Sequence, residues 1–405
     1  MRKISDYRYI VGDAVIGELY QKAKSLYGKR ILHINSTFIG GGVAEILNNL
    51  IPLMNNLGLD VDWRVLHASP DLYLLTKKMH NGLQGESISL SEREKKLYIQ
   101  ASENFAVYAK INDNDLVIVH DPQPLPLIDF YKKRQPWVWR CHIDLSHPDL
   151  KLWDYLKGMI IRYDLAIVSK QEYSKKDLAV RQRIIPPVID PLIPKNMPLS
   201  GQQIVEYLKE FNIPRDKPLI TQISRFDKWK DPMGVIEVIK KVKQKTDCRL
   251  VLCGSMAMDD PEGVEIYELV KQAGKDLIKS GDLILLTFEN TLLVNLLQRA
   301  SHVIVQKSIR EGFGLTVTEA MYKEKPVVAS NVGGIPLQIT DGVDGLLVEP
   351  KDYQGAADRI IELLSNPKLG QELGQKAKEK VQENFLITRL LRDYLDISYH
   401  EIIQR

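Results

Sequence analysis

The stretch Ser308-Ile309-Arg310-Glu311-Gly312-Phe313-Gly314-Leu315-Thr316-Val317-Thr318-Glu319-Ala320 decides how this chain is read. Two carboxylates, Glu311 and Glu319, bracket a glycine-spaced loop with seven residues between them. The run 302–306 ahead of the loop is strand-like, and the apolar spacing behind it predicts a helix over 315–323. Glycines at 312 and 314 let the backbone approach a ligand, with peptide N–H groups free to point at it. A helix start carries unpaired donors and a partial positive charge, which favours an anion such as a diphosphate. Glu311 would then lie in the loop beside the bound group. Glu319 would lie about one turn into the helix, within reach of a neutral hydroxyl such as that of a ribose. The plain alternative is an ordinary strand–loop–helix with glutamates at an exposed helix start.

A chain of 405 residues exceeds one ordinary core and fits two domains of about 200 residues each. Its net charge of +3 leaves no footprint for nucleic acid. The lysine clusters at 240–245 and 376–380 have acidic neighbours at helical spacing and read as solvated faces. No run reaches the roughly 20 apolar residues that cross a bilayer, so no membrane partner is expected. The opening residues lack the apolar run of a secretory leader. Cys141, Cys248 and Cys253 have neither metal-type nor redox-type spacing and read as buried thiols, so the expected location is cytoplasmic. The oligomeric state is not readable, and a homodimer stays open.

Working outward, strand and helix patterns alternate along both halves, which predicts an α/β fold with mostly parallel sheets and helices on both faces. In the first half, residues 1–28 read as helix or loop, and strands are expected at 30–34, 61–66, 115–120, 137–141 and 165–169. A helix with Val43, Ile46, Leu47, Leu50, Met54 and Leu57 on one face ends at Gly58. Prolines 186, 187, 191, 194 and 198 mark a stiff connection. The expected domains are therefore 1–195 and 196–385, followed by an amphipathic helix over 386–405. Second-half strands are expected at 217–224, 249–253, 283–287, 302–306, 326–330 and 345–349. Asp231-Pro232 forms a helix start.

Three further motifs stand at strand ends, where open α/β sheets bind ligands. In Ser224-Arg225-Phe226-Asp227-Lys228-Trp229-Lys230-Asp231, Arg225 and Lys230 could both touch a diphosphate, the arginine bidentately and the lysine as a point charge. Gly40-Gly41-Gly42 opens the first helix after a strand. It fits neither the dinucleotide fingerprint nor the Walker pattern, which argues against a nicotinamide cofactor and against ATP hydrolysis. Trp139-Arg140-Cys141-His142-Ile143-Asp144 carries a histidine at a strand end. In His120-Asp121-Pro122-Gln123-Pro124, either His120, Asp121 or Gln123 could hydrogen-bond a sugar, or the prolines make a plain turn. Asp113-Asn114-Asp115 has the D-x-D form of a metal site but precedes its strand and reads as a turn.

The Glu311–Glu319 spacing with Arg225 and Lys230 resembles the E-x7-E signature of family 4 retaining glycosyltransferases. These have the GT-B fold, two Rossmann-like domains facing across a cleft. The resemblance implies a hexosyltransferase in which Arg225 and Lys230 neutralise the nucleotide leaving group. Glu311 and the amides of Gly312 and Phe313 would hold the donor sugar. The amides of Gly314 and Leu315 would hold the diphosphate, and Glu319 the ribose. Gly41 and Gly42 would face the donor, His142 would stand near the anomeric centre, and helix 386–405 would cross back onto the first domain. No tightly bound cofactor and no divalent metal is implied.

Shorter runs resemble the trehalose glycosyltransferring synthases within that family: His33-Ile34-Asn35-Ser36-Thr37 with Gly40–Glu45, His80-Asn81-Gly82-Leu83-Gln84-Gly85, Val168–Tyr173 and Pro186–Asp190. That implies ADP- or UDP-glucose as donor, free glucose as acceptor, and reversible formation of α,α-1,1-trehalose with His80, Asn81, Gln84 and Asp121 on the acceptor side. A sucrose- or glycogen-type synthase would keep the same donor motifs. A nucleotide-sugar 2-epimerase shares the fold without an acceptor but is expected to lack this combination. A non-catalytic sugar sensor is the remaining alternative.

Overall fold

Runs rich in valine, isoleucine and leucine form two six-stranded sheets in the computed structural model, which describes residues 2–404 except 40, 68, 255–260, 288 and 289. The first sheet contains β1 (Arg30–Asn35), β2 (Asp60–Val65), β3 (Leu116–His120), β4 (Trp137–Arg140), β5 (Leu165–Val168) and β6 (Arg181–Ile184). Its order is β2-β1-β3-β4-β5-β6, and every pair is parallel. Strands β3, β4 and β5 are buried at every position, as a parallel sheet covered on both faces requires. Strand β6 has no counterpart in the sequence reading. Its Arg-Gln-Arg-Ile sequence lacks an apolar run, and none of its positions is buried; it forms on backbone pairing with β5 at the sheet edge.

The second sheet contains β7 (Leu219–Ile223), β8 (Arg249–Cys253), β9 (Leu283–Leu286), β10 (Val303–Gln306), β11 (Val327–Ser330) and β12 (Leu346–Val348). Its order is β12-β11-β10-β7-β8-β9, again parallel throughout. The helix Pro232–Val242 starts as its sequence predicts: Asp231 accepts from the Gly234 amide at 3.1 Å and Pro232 takes the first position.

Each sheet belongs to a separate compact unit. One comprises Met1–Val188 with Phe385–Arg405, the other Ile189–Asn384. The division falls after Val188 because residues 189–198 are tied to the second unit through their own backbone. Asn295 donates to the carbonyls of Pro194 and Met197, both at 2.8 Å, and Arg299 to those of Asn196 and Met197. The last helix, Ile387–Ile402, packs on helices Arg8–Lys24 and Gly41–Asn56 of the first unit. Arg389 donates to the Pro186 carbonyl at 2.6 Å, and buried Glu401 pairs with Arg181 at 2.7 Å.

Leu395 on that helix is fully buried. Leu395→Ala should lower the stability of the first unit by about 2–5 kcal/mol, read as an earlier first transition in urea.

Candidate functional site

Both sheets reverse their strand order at one point, and there the loops leaving two adjacent strands diverge to open a crevice at the carboxyl ends. In the second unit the chain runs β7-β8-β9 one way and resumes at β10 on the other side of β7. The loops at that point are 224–231 and 307–314, the two segments with candidate donor residues. Gln222 on β7 joins them: its amide donates to the Lys230 carbonyl and its oxygen accepts from the Lys307 amide, both at 2.9 Å. The Ile309 amide adds a 2.7 Å bond to the Trp229 carbonyl.

So joined, the loops bring Lys230 Nζ to 2.7 Å from Glu311 Oε2, with side chains only 16% and 10% exposed. Ser308 Oγ donates to the same oxygen at 3.1 Å, and Gln306 Nε2 approaches at 3.4 Å. Arg225 is exposed, its guanidinium 3.8 Å from Asp227, which caps the turn Lys228–Lys230 through the Trp229 amide. A loose partner and an exposed head leave the arginine fork available to an incoming anion.

The helix Leu315–Tyr322 begins directly after Gly314, whose φ of +86° is left-handed and favours glycine. Gly312 and Phe313 are clasped from the other side. A Cβ on Gly334 would meet the Gly312 carbonyl oxygen at 2.6 Å, and Gln338 donates to the Phe313 carbonyl while accepting from Thr318. The cap position of this helix is a glycine and so offers no side chain to the first turn.

Glu319 lies one turn into the helix, as its spacing predicts, but its environment differs from the expectation of an open ribose contact. It is fully buried. Lys195 Nζ lies 2.6 Å from Oε1, and Gln298 donates to Oε2 at 3.1 Å. Lys323 closes the network by donating to Gln298 and Asn196. A ribose hydroxyl reaches this carboxylate only if Lys195 withdraws.

In the first unit the reversal falls between β1 and β3, whose exits carry residues 36–42 and His120-Asp121. Gly41 opens its helix with φ +77° and is exposed, Gly42 follows half-buried, and Gly40 lies outside the described residues. His142, just past β4, is half-buried. Its backbone amide donates to Asp121 Oδ1 at 2.7 Å, and Asp121 itself adopts φ +62°. Behind His142 stand two further imidazoles: His142 Nε2 is 3.1 Å from His120 Nδ1, and His120 Nε2 is 3.0 Å from His33 Nδ1. Burial pushes His33 down to about 3 and His120 well below the usual histidine range. Burial does the same to His142, with the Arg140 guanidinium adding to the shift. Burial raises the Asp121 carboxyl to about 6.

The acceptor-side candidates His80, Asn81 and Gln84 lie at the end of helix Pro70–Leu83, not at a strand exit. Gln84 is buried with its amide on the His80 carbonyl, while Asn81 Oδ1 is buried without a hydrogen-bond partner among the described residues. Asp113–Asp115 forms the turn at the amino-terminal edge of β3, with Asp115 accepting from the Arg30 amide at 2.8 Å. Among the described residues no three or more histidines, cysteines or carboxylates are grouped as metal ligands, and no helix is long and apolar enough to cross a membrane.

Gln222, Ser308, Gln338 and Lys195 were not anticipated as site residues. A signal existed for Gln222 and for His33: each is a polar residue inside an otherwise apolar, buried strand.

Two Rossmann-like units, each a parallel sheet with one reversal of strand order, are the GT-B architecture of glycosyltransferases. Residues 33–175 match the family described as "Trehalose synthase, N-terminal domain", and 204–380 match "Glycosyl transferases group 1". The chain belongs to the trehalose synthase family and is a hexosyltransferase. It is 48% identical to the trehalose synthase of Thermococcus litoralis, over 98% of this chain and 96% of that protein. Identity to the Rubrobacter xylanophilus trehalose synthase is 43%, over 97% and 96%. A solved structure described as "Trehalose-6-phosphate from E. coli bound with UDP-2-fluoro glucose" shares the fold, with a TM-score of 0.73 and 15% identity over 91% of this chain and 98% of that one.

Gly334→Ala should push the Gly312–Gly314 loop off its position and lower kcat by about 10²-fold, with the circular dichroism spectrum unchanged. The histidine shifts also predict acid sensitivity. Below about pH 6.5 the unfolded chain protonates three imidazoles that the folded protein keeps neutral, so stability falls as pH falls. Asp121 acts oppositely between about 6 and its unfolded value of 3.8. Three imidazoles outweigh one carboxyl, so the net is a loss of stability as pH falls below about 6, measurable by urea titrations at stepped pH.

Proposed function

We propose that the chain moves glucose from ADP- or UDP-glucose to free glucose, forming α,α-1,1-trehalose with retention at the anomeric carbon, and that the reaction runs in both directions. The observation that carries the donor half is the Lys230–Glu311 pair beside the open helix start at Gly314, with the Arg225 fork exposed next to it. Two cations, Arg225 and Lys230, beside a helix start without a side-chain cap suit a diphosphate better than a neutral ligand. The acceptor half is supported by the nearly full-length identity to trehalose synthases.

In this reading the bond between the anomeric carbon and the diphosphate oxygen lengthens first, leaving an oxocarbenium-like sugar. The acceptor hydroxyl adds from the same face, and its proton passes to the departing phosphate oxygen. The protein's share is position and charge. Arg225, Lys230 and the amides at Gly314–Leu315 offset the charge that grows on the leaving diphosphate. Glu311, held in place by Lys230 and Ser308, accepts hydroxyls of the glucose with the Gly312–Phe313 amides beside it. His142 serves the transferred sugar, and Glu319 takes the ribose once Lys195 gives way. Charge neutralisation by side chains makes a divalent metal dispensable.

The test is product analysis with a panel of nucleotide-glucoses and acceptors, with and without a chelator. Trehalose from free glucose, unaffected by chelation, is the expected result; transfer to fructose, a sugar phosphate or glucan instead would overturn the acceptor. Arg225→Ala should lower kcat by about 10²–10³-fold with the fold intact. Lys230→Ala should do the same and also destabilise the second unit by about 3–5 kcal/mol, because Glu311 is left buried without its cation.

A further inference from the structure

His33, His120 and His142 lie on β1, at the end of β3 and just beyond β4, three strands adjacent in the sheet. Strand register explains how they meet. His33 is level with Ile118, two residues before His120, and His120 is level with Arg140, two residues before His142. Side chains two apart share a sheet face, so the three rings climb the same face diagonally toward the carboxyl ends. The rings stack in sequence, with centroids 5.3 Å and 5.4 Å apart and planes within 24° and 16°. His33 and His120 are buried; His142 alone keeps exposed surface.

Each bond between two ring nitrogens needs one proton, and a neutral imidazole has one to give. Three neutral rings in series therefore have two arrangements only, with all protons pointing one way or all pointing the other. The choice is made at the buried end. His33 Nε2 is buried with no hydrogen-bond partner among the described residues, and the Tyr394 ring lies 5.5 Å from His33. An orphaned buried N–H is the costlier state, an orphaned lone pair the cheaper one. His33 Nε2 is then bare and His33 Nδ1 donates to His120 Nε2. His120 Nδ1 donates in turn to His142 Nε2, leaving His142 Nδ1 as an N–H donor.

We propose that His33 and His120 are positioning residues for the transfer reaction: they form a one-way imidazole relay that fixes His142 as an Nδ1–H donor toward an oxygen of the transferred sugar. The groups around the relay fit this state. Arg140, buried and donating to the Ile185 carbonyl and Ser169, places a fixed positive charge nearby that disfavours an added proton. The Asp121 carboxylate is occupied by the backbone amide of His142 rather than by a ring nitrogen of the relay. The role in transfer rests on the function proposed above; the relay itself does not.

The test is ring-¹⁵N histidine NMR on the full chain, with signals assigned through His142→Asn. All three histidines of the unmodified protein should carry their proton on Nδ1 at pH 7.5, and Nε2 protonation at His142 would overturn the proposal without any variant. In His33→Phe, which keeps a packed ring but removes the donor, His142 should lose its single tautomer and kcat should fall about tenfold with KM unchanged. His33→Asn, whose amide replaces the Nδ1 donor, should restore both. An unchanged His142 tautomer in folded His33→Phe overturns the relay, and a changed tautomer with unchanged kcat overturns its part in transfer. If the unmodified protein transfers no glucose, the proposed function fails while the NMR result still decides the relay.

Discussion

The crevice of the second unit depends on one contact, the 2.7 Å pair between Lys230 and Glu311 on loops 81 positions apart. Two charges this little exposed are tolerated only where hydrogen bonds satisfy the rest of each head group. Ser308 and Gln306 do this for the carboxylate. Gln222 does the complementary work on the backbone, holding the Lys230 carbonyl with one end of its amide and the Lys307 N–H with the other. Strand order supplies the remaining requirement. Because β7 and β10 are neighbours whose chains depart in opposite directions, their exits are close enough for a lysine and a glutamate to meet.

The two units use the same topology for opposite electrostatics. At the reversal in the second unit the groups are charged, Arg225, Lys230 and Glu311, beside an uncapped helix start. At the reversal in the first unit stand imidazoles kept neutral by burial and by the Arg140 guanidinium, with the Asp121 carboxyl taken up by the His142 amide. A diphosphate carries charge that must be met by charge, whereas a sugar offers hydroxyls and ring oxygens that are met by hydrogen bonds of fixed direction. Under the proposed function, the charged reversal point would suit the nucleotide donor and the imidazole-lined one the sugar.

Most of this was legible in the sequence wherever a local pattern mirrors a local structure. The strands announced themselves by apolar runs, the helix at Pro232 by its capping aspartate and proline, and the donor loop by its glycines between two glutamates. Strand β6 escaped because an edge strand of Arg-Gln-Arg-Ile forms by backbone pairing rather than by side-chain burial. The histidine relay escaped for a different reason. Residues 33, 120 and 142 are brought together by strand order and register, and neither is encoded near any one of them. Lys195 was hidden by the same distance: 124 positions before Glu319, it belongs to a proline-rich segment that reads as a connection.

Glu319 shows how far a spacing can be trusted. Its spacing is the one expected of a ligand contact, and its physical state here is that of a structural anion, fully buried between Lys195 and Gln298. Both descriptions hold if the carboxylate exchanges partners. A hydroxyl arriving at Oε1 replaces a cation with a neutral donor, so the exchange costs the ion pair unless Lys195 finds another anion close by. A bound nucleotide diphosphate is such an anion, and it would stand at the start of the very helix that carries Glu319. Asn196, next to Lys195, accepts from Lys323 at 2.8 Å, a bond that an exchange confined to the Lys195 side chain would leave intact. The energy of the exchange is then set by the difference between two nearby ion pairs and not by the full cost of exposing a buried carboxylate.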